Sequence, residues 1–598
     1  MSQASETKTN TILRTLGKIN KIAIQEYPWF LFGILILTLV LSAAPYMFSF
    51  VQGIFVDRLV DYVNLGSNTL KSIYTILGVF VGVYLIQEII GVFLSFIDRR
   101  FGVKIDGTTS LLLLKKKGEL SVADYDNSEI WSSVTKATEA QGSIRATIYA
   151  QNQILKQIIS LVIGAVIVAR FSGLSLLIAL LASAPSAIIS FLENNADWKR
   201  WLQDTTMRKH INYIYGLFGT ERTLAEMKFF QVGSKLTSKW DTERKEHIEK
   251  KIFAIQNRFA PLFSLASVFS ALGYMAIFYI LTQQGIKGEI SIGDIIFYIS
   301  SIFGLSNAFS GLLSSIGMNY QNVLKLKEYV DFLEIKPSMV DGTNSPVQLI
   351  HPPLMTIKDL YFGYQDKKVL KGVSAIIKPG EKIAIVGLNG AGKTTLIKMI
   401  TKVYNPDSGS IKINEHDLED LASSWWYGHL GVLSQEYTNY SFTVEESIAV
   451  GSNDPMNEDR VIESAKLAQI HDTIMELPLG YKTQLGRQFK DGHNFSIGQW
   501  QKLAIARALY RKPKVLILDE PTSAVDAEAE EAIFNNLHDL SKETTLIFVS
   551  HRFSTIRRAD RILLVSDGKI SEQGAHEDLM KMKGEYSRLF TLQAKSYQ

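Results

Sequence analysis

The chain has 598 residues, of which 46% are hydrophobic, carries a net charge of +4 and contains no cysteine. This length is too great for a single hydrophobic core and predicts two or more domains, while the small net charge argues neither for nor against a nucleic-acid partner. The absence of cysteine excludes disulfides, thiolate metal sites and cysteine nucleophiles. Cleavage of a leader peptide by a cysteine peptidase within this chain is therefore not expected.

Roughly the first 330 residues of the chain are rich in long apolar stretches. Residues 1–27 precede them as a cytoplasmic segment, in which residues 11–27 form either an amphipathic helix on the inner membrane surface or an irregular tether. Crossing a bilayer as a helix takes about 20 apolar residues, and six stretches meet that length, at about 28–52, 73–97, 151–170, 174–194, 260–282 and 292–318. One such stretch alone would fit a buried core helix, but six together predict a six-helix transmembrane domain at 28–320.

Two long polar segments separate spans two and three and spans four and five. Both are basic, with Arg99, Arg100, Lys115, Lys116 and Lys117 in the first and Lys199, Arg200, Arg208, Lys209 and Lys250 in the second. Basic loops stay on the cytoplasmic side, which places these segments, the N-terminus and the region after span six in the cytoplasm. Within them, Tyr125–Thr135 and Gly219–Phe230 are candidates for short helices that dock on a cytoplasmic domain, and the alternative is two solvated helical turns.

Charged side chains within spans are costly and often functional. Glu88 lies deep in span two and Lys156 near the start of span three, both toward the cytoplasmic half of the membrane. The alternatives are that the two pair with each other, that Lys156 extends its ammonium to the membrane surface, or that Glu88 contacts a substrate. Asn307 in span six, with Ser306 and Ser310 beside it, is a candidate for the lining of a polar cavity.

After span six the composition becomes that of a soluble protein. Residues 321–353 are predicted to be a linker, with a charged helix at Leu324–Ile335 and then a stretch containing Pro, Gly, Ser and Asn. Residues 354–598 are predicted to form a separate cytoplasmic domain.

The first chemical motif of this domain is a phosphate-binding loop. KIAIVG (382–387) suits a buried parallel strand, and the glycine-rich GLNGAGKT (387–394) leads from it into a helix-prone run. Backbone N–H groups of such a loop converge on phosphate oxygens at a helix N-terminus, the lysine reaches the β- and γ-phosphates, and the following threonine binds Mg²⁺. The predicted nucleotide-binding residues here are Gly387, Asn389, Gly390, Ala391, Gly392, Lys393, Thr394 and Thr395.

A second strand, VLILDE (515–520), ends in two carboxylates. Ligands of open α/β sheets bind at the carboxyl ends of strands, so Asp519 is predicted to hold Mg²⁺. Glu520 is predicted to be the general base that polarises the attacking water, against the alternative of a surface carboxylate. The motif FSIGQ (495–499) precedes another helix-prone run and adds a second anion site through its serine and glycine. Two such sites far apart in sequence suggest a nucleotide clamped between two copies of the domain.

With these motifs in this order, residues 28–590 resemble an ATP-binding cassette (ABC) transporter of the exporter type. The arrangement is that of a half-transporter, with a six-span α-helical transmembrane domain followed by a cytoplasmic α/β P-loop ATPase domain. The resemblance implies a dimer with two ATP molecules and Mg²⁺, and a magnesium set of Thr394, Gln435 and Asp519. It further implies that Tyr364 stacks on adenine and that Gln435 contacts the membrane domain. It also implies that the signature motif is formed by Ser496, Gly498 and Gln499. Finally, it implies that Asp526 belongs to the D-loop and that His551 contacts the γ-phosphate.

The signature departs from the family's LSGGQ at two positions. Phe495 replaces the leucine, and Ile497 replaces the first glycine. Because Ser496 and Gly498, the expected phosphate contacts, are kept, hydrolysis is expected to survive with Glu520, Gln435 and His551 as its catalytic residues.

The resulting hypothesis is an ATP hydrolase coupled to export across the bacterial cytoplasmic membrane by alternating access. The expected assembly is a homodimer, and the expected cargo a peptide-like or other amphipathic small substrate, because segments such as TERTLAEMKFF resemble exporters of modified peptides. Multidrug or lipid export is the alternative. An ATP-gated channel would be expected to lack Glu520 or His551, and a soluble cassette protein acting on nucleic acid would not carry six apolar spans. Fusion of the membrane and ATPase domains in one chain favours export over import.

Overall fold

The computed structural model describes residues 2–65, 70–365, 367–521, 525–540, 543–550 and 552–594. The chain divides into two compact units. The first comprises Met1–Glu119 and Ser128–Lys336, and the second comprises Leu120–Asn127 and Pro337–Gln598. The short segment between spans two and three thus belongs with the C-terminal unit.

The N-terminal part of the chain is helical throughout its described residues. Its helices are α1 (Ser2–Glu26), α2 (Pro28–Leu65), α3 (Leu70–Glu119), α4 (Val122–Tyr125), α5 (Ser128–Gln141), α6 (Ser143–Phe171), α7 (Gly173–Gln203), α8 (Thr205–Leu217), α9 (Glu221–Phe229), α10 (Gly233–Arg244), α11 (Lys250–Ile286) and α12 (Ile292–Glu334). One π-helical turn, Lys245–Glu249, joins α10 to α11.

Six of these helices are long and apolar enough to cross a membrane, and they contain the six predicted spans. All six extend beyond the predicted spans, because the adjoining polar residues continue the same helix rather than ending it. In α12 this removes a predicted break: the sixth span and the charged helix expected at Leu324–Ile335 are one continuous helix.

The residues before span one form helix α1, which settles the choice between helix and tether. Its Ile19 and Ala23 are buried, and its Arg14 and Lys18 both form ion pairs with Glu334 at the end of α12.

The first docking candidate differs from the prediction. Instead of one helix at Tyr125–Thr135, the structure has the four-residue α4, capped by Ser121, followed by the much longer α5. Asp124 causes the early start, because its carboxylate accepts hydrogen bonds from the backbone N–H and the hydroxyl of Ser121. The second candidate contains helix α9, whose N-cap is Thr220.

The second unit is built on two sheets. Its strands are β1 (Met355–Tyr364), β2 (Lys367–Ile377), β3 (Lys382–Val386), β4 (Ser408–Ile413), β5 (His416–Asp417), β6 (Leu430–Leu433), β7 (Val515–Asp519), β8 (Thr545–Val549), β9 (Arg561–Ser566) and β10 (Lys569–Gly574). Its helices are α13 (Lys393–Ile400), α14 (Ser423–His429), α15 (Val444–Ala449), α16 (Glu458–Leu467), α17 (His471–Met475), α18 (Ile497–Tyr510), α19 (Ala527–Leu540), α20 (Phe553–Ile556), α21 (His576–Met582) and α22 (Glu585–Ala594).

The larger sheet has the order β10-β9-β3-β8-β7-β6, and its five strands from β9 to β6 are parallel. Every residue of β3, β7 and β8 is buried, as expected for central strands of a sheet covered on both faces. The smaller sheet is antiparallel, with the order β2-β1-β4-β5. Because β3 and β7 are parallel in one sheet, their carboxyl ends, where the loop at Gly387 and the pair Asp519 and Glu520 begin, share one edge.

Candidate nucleotide site

The loop between β3 and α13 is shaped by glycine. Gly387 has a φ of +151°, and a Cβ atom there would lie 2.2 Å from the carbonyl oxygen of Val565. Gly392, the N-cap of α13, has a φ of +108°. Residues with a Cβ atom rarely adopt these angles, so the backbone can follow this path only with glycine at both positions.

Lys393 closes the mouth of this loop. Its side chain is buried, and its ammonium donates hydrogen bonds to the carbonyl oxygens of Gly387 at 2.9 Å and Leu388 at 3.0 Å. Burial lowers the pKa of Lys393, an effect opposed by the nearby charges of Glu520 and Asp519. The ammonium is thus held over the loop by two neutral acceptors, which an anionic ligand is able to replace.

The two carboxylates occupy different positions at the end of β7. Asp519 is buried as the last strand residue, whereas Glu520 has left the strand with a φ of +52°. That conformation is uncommon for a residue with a side chain and is fixed on both sides of Glu520. Its N–H donates to the carbonyl oxygen of Val549 at 3.0 Å, and its carbonyl oxygen accepts a bond of 2.9 Å from the side-chain amide of Gln501.

These groups surround one cavity of about 790 Å³. Its volume lies within the usual range for small-molecule sites, roughly 300–1,000 Å³. The predicted residues that line it are Tyr364, Asn389, Gly390, Gly392, Lys393, Thr394, Thr395, Gln435 and Glu520. Gly387 and Ala391 belong to the same loop, and Asp519 directly precedes Glu520, although none of these three lines the cavity wall.

Tyr364 stands among other aromatic and basic groups. Its ring centroid lies 5.0 Å from that of Phe362 and 5.6 Å from that of Tyr404, and the ammonium of Lys398 lies 5.5 Å from it. The ring is therefore held in place by its own chain while part of it remains accessible at the cavity.

The signature residues lie apart from this cavity. Ser496 caps α18 and forms a reciprocal capping box with Gln499, in which the Ser496 N–H donates to the Gln499 side chain at 2.8 Å. Phe495 is buried against Trp500, which explains why an aromatic residue replaces the family's leucine here. Ile497, by contrast, is 73% exposed. Ser496, Gly498 and Gln499 do not line the cavity of their own chain.

Asp526 is likewise outside the cavity lining. Its carboxylate accepts a hydrogen bond of 2.8 Å from the backbone N–H of Ala529 in the first turn of α19, and this bond holds the pKa of Asp526 below its usual value. Lys502 lies 3.9 Å from the same carboxylate. His551, and Ser523 and Ala524 just before Asp526, lie outside the described residues.

The sequence motifs missed several residues of the site. Gln501, which holds Glu520, follows the signature by two residues and carries no motif of its own. Lys367, Lys368 and Lys371 bring positive charge to the cavity from β2, and Lys371 forms an ion pair with Asp567 at 2.6 Å. The sequence of β2 does not indicate which of its faces meets the loop.

The candidate residues of the membrane-spanning helices are less closely grouped. Glu88 is exposed on α3 and Lys156 is half-buried on α6. The expected pairing is wrong for the part of the chain that the structure describes, where no ion pair joins the two. On α12, Ser306 is buried with no hydrogen-bond partner for its hydroxyl, whereas the adjacent Asn307 is exposed.

A family model described as "ABC transporter" matches residues 370–523. The subtilin transport ATP-binding protein SpaT of Bacillus subtilis is 28% identical over 531 residues, which is 86% of this chain and 84% of that protein. The alpha-hemolysin translocation ATP-binding protein HlyB of Escherichia coli is 30% identical over 603 residues, covering 96% of this chain and 81% of that protein. A solved structure of a bacterial Atm1-family ABC exporter with ATP bound superposes with a TM-score of 0.74 at 24% identity, over 95% of this chain and 99% of that one.

Proposed function

The chain belongs to the ABC transporter family, and on that premise we propose that it works as a homodimer that exports a peptide-like or other amphipathic substrate by alternating access. Family membership and the six long apolar helices make it a multi-pass membrane protein with its ATP-binding cassette in the cytoplasm. It is an exporter that couples ATP hydrolysis to transport. The identity of the cargo, the number of subunits and the roles of individual residues are the subject of the proposal.

The cavity beside Lys393 suits ATP. The glycine-shaped loop offers N–H groups to phosphate oxygens, Lys393 supplies a cation at its mouth, and Tyr364 presents a fixed ring to the adenine. Lys367, Lys368 and Lys371 add positive charge from the β2 side. In this arrangement the phosphates replace the carbonyl oxygens of Gly387 and Leu388 as acceptors for the Lys393 ammonium.

The same cavity fits Mg²⁺ through its donor set. Mg²⁺ prefers oxygen ligands, and the hydroxyl of Thr394, the amide oxygen of Gln435 and the carboxylate of Asp519 are all oxygen donors at or beside the cavity. When bound, the ion neutralises charge that develops on the transferred phosphoryl group. The described residues contain no group of three or more His, Cys, Asp or Glu side chains arranged for a metal, which agrees with a site completed by the nucleotide's own oxygens.

Glu520 acts as the general base. Its carboxylate takes a proton from the water whose oxygen attacks the γ-phosphorus, as the bond from that phosphorus to the bridging oxygen breaks. The main-chain bonds to Val549 and Gln501 fix its backbone, so the side chain is aimed by the fold rather than by a flexible loop. By family resemblance His551 contacts the γ-phosphate.

The cavity of a single chain is incomplete, and this observation supports the proposal of a dimer. The phosphate-binding loop GLNGAGKT (387–394), called Walker A, and Glu520 are at the cavity, but Ser496, Gly498 and Asp526 lie outside its lining. Ile497 is 73% exposed at the N-terminus of α18. A second copy facing the first head to tail would bring each signature to the other copy's Lys393. One symmetric arrangement thereby completes two sites.

Coupling to the membrane helices is assigned to two segments. Phe229 and Phe230, at the end of α9, are 81% and 69% exposed, a state that is unfavourable for adjacent aromatic residues unless a partner surface covers them. In the other segment, Asp126 forms a hydrogen bond with the hydroxyl of Tyr404.

Peptide cargo is favoured because the relatives include a subtilin transport protein and an alpha-hemolysin translocation protein.

A mixed dimer tests the composite site. One tagged chain carries Lys393→Ala and the other, with a different tag, carries Gly498→Asp, so that each variant alone forms inactive homodimers. If each site combines Walker A of one chain with the signature of the other, the doubly purified mixed dimer has one intact site and occludes nucleotide there. Occlusion absent from the mixed dimer, with both chains folded and paired, contradicts the proposal.

A further inference from the structure

An aromatic and basic cluster lies in the first unit. Trp198 and Trp201, at the end of α7, stack with ring centroids 5.1 Å apart. Two cations face Trp201: the guanidinium carbon of Arg208 lies 4.4 Å from its ring centroid and the ammonium of Lys325 lies 5.1 Å from it. We call Trp198, Trp201, Arg208 and Lys325 the Trp201 cluster.

Neither cation of the Trp201 cluster is neutralised by direct contact with a carboxylate. Arg200 pairs with Asp197 at 2.7 Å, and Lys251 pairs with the buried Asp204. Among the described residues, neither Arg208 nor Lys325 forms an ion pair. Carboxylates act on these two cations only at longer range: Glu139 and Asp204 on Arg208, and Asp197 and Glu139 on Lys325. Two cations therefore converge on one indole, and among the described residues no carboxylate is in direct contact with either of them.

Arg208 also has an unused donor. Its Nη1 donates to the carbonyl oxygen of Trp201 at 2.7 Å, but its Nη2 is buried without a hydrogen-bond partner. Burial also lowers the pKa of Arg208. A buried donor of a charged group left unpaired costs free energy that a suitable acceptor would recover. The missing partner is an anion with hydrogen-bond acceptors.

The position of the cluster along α7 indicates where that anion comes from. Helix α7 begins at Gly173, and a rise of 1.5 Å per residue puts Trp201 about 42 Å along it. A bilayer with its headgroup layers is about 40–45 Å thick. If α7 begins at the outer surface, Trp201 lies at the inner headgroups, where Trp and basic residues are enriched. Basic pockets between helices on this side of the membrane bind the headgroups of acidic lipids.

We propose that the Trp201 cluster binds the phosphate group of an anionic phospholipid of the inner leaflet. The phosphate accepts hydrogen bonds from Nη2 of Arg208 and from the ammonium of Lys325, and the lipid's acyl chains extend toward the apolar part of α7. This site is independent of the identity of the exported cargo and of the nucleotide site.

Native mass spectrometry of the detergent-purified full-length protein, titrated with phosphatidylglycerol, tests the proposal. Arg208→Gln and Lys325→Gln are each expected to weaken phosphatidylglycerol binding about tenfold, since each removes a charge-assisted hydrogen bond to the phosphate. The matched control is Lys199→Gln, which removes an exposed positive charge from the same end of α7. It should bind phosphatidylglycerol like the unchanged protein, and binding of phosphatidylcholine should be equal in all four proteins.

Two results overturn the proposal. One is an equal loss of phosphatidylglycerol in the Lys199→Gln control, which would indicate general surface attraction. The other is unchanged binding in both cluster variants while their thermal stability matches that of the unchanged protein. A parallel titration with inorganic phosphate distinguishes a lipid headgroup from a free anion. If phosphate stabilises the protein through Arg208 and Lys325, while lipid binding does not depend on these residues, the cluster binds a soluble anion and the lipid proposal is wrong.

Discussion

The side-chain amide of Gln501 donates a hydrogen bond of 2.9 Å to the main-chain oxygen of Glu520. This bond links the signature helix to the residue proposed as general base. It also helps to hold the backbone of Glu520 at a φ of +52°, a strained conformation that persists only where surrounding contacts maintain it. Gln501 is buried, so its effect on turnover is exerted through the position of Glu520 rather than through contact with ATP.

We therefore predict that Gln501→Met lowers kcat for ATP about tenfold, a loss typical of one hydrogen bond, with little change in KM. Steady-state ATPase assays of the reconstituted protein measure both constants. Gln501→Glu, which keeps the size but removes the donor when ionised, should behave like Gln501→Met. A variant that raises KM with an unchanged kcat would show that Gln501 serves nucleotide binding instead.

A second prediction concerns the backbone of the phosphate loop. Gly387→Ala places a Cβ atom against the carbonyl oxygen of Val565 at a φ of +151°. It should therefore destabilise the protein by at least about 1 kcal/mol and abolish ATP binding. Gly428→Ala is the matched control, because this helical glycine has open space around a new Cβ. Thermal unfolding with and without ATP measures both effects, and equal behaviour of the two variants would contradict the assigned strain.

The third prediction follows from the lowered pKa of Lys393. A lysine with a lowered pKa loses its charge at a pH below the ordinary lysine value of 10.5, and ATP is an anion that needs this charge. The affinity for ATP should thus fall as the pH rises through the lowered value, and the advantage of the unchanged protein over Lys393→Met should shrink in the same range. Equilibrium binding of a fluorescent nucleotide between pH 7 and 10 measures this, and a constant advantage would contradict it.

The fourth prediction concerns the bond between Tyr404 and Asp126. Tyr404→Phe keeps the ring beside Tyr364 but removes the hydroxyl. Because neither residue lines the cavity, basal ATPase should stay within about twofold, whereas stimulation by transported substrate should fall. Tyr427→Phe is the control, since its hydroxyl donates to the main-chain carbonyl oxygen of Lys402 elsewhere in the same unit. Equal stimulation in the unchanged protein and in Tyr404→Phe would exclude a coupling role for this bond.

The residues that could be predicted from the sequence were those with a local signal. A strand, glycines and a lysine in fixed order located the phosphate loop, and continuous apolar runs located the six spans. Helix ends were less predictable, because a change to polar residues does not show whether a helix ends or continues. In α12 the polar residues after residue 318 continue the helix. Asp124 shows the same limit in α4, where one side-chain cap started a helix earlier than composition indicated.

Contacts between distant positions could not be predicted. Nothing in the sequence around Gln501 indicates that its amide meets Glu520, and the charges of Glu88 and Lys156 suggested a pair that the described residues do not form. Such contacts depend on how helices rotate and pack, and a single sequence specifies that only through the whole fold.

Transport into inverted vesicles or proteoliposomes tests ATP-driven export of a peptide-like substrate most directly. A subtilin-like peptide, a panel of lipophilic drugs and a fluorescent lipid are offered with ATP to the unchanged protein and to Glu520→Gln. We predict ATP-dependent accumulation of the peptide and stimulation of ATPase by it. In Glu520→Gln, which retains ATP binding, both should fall about 100-fold or more. Peptide accumulation that is equal in the two proteins, or stimulation by drugs or lipid but not by peptide, would contradict the account.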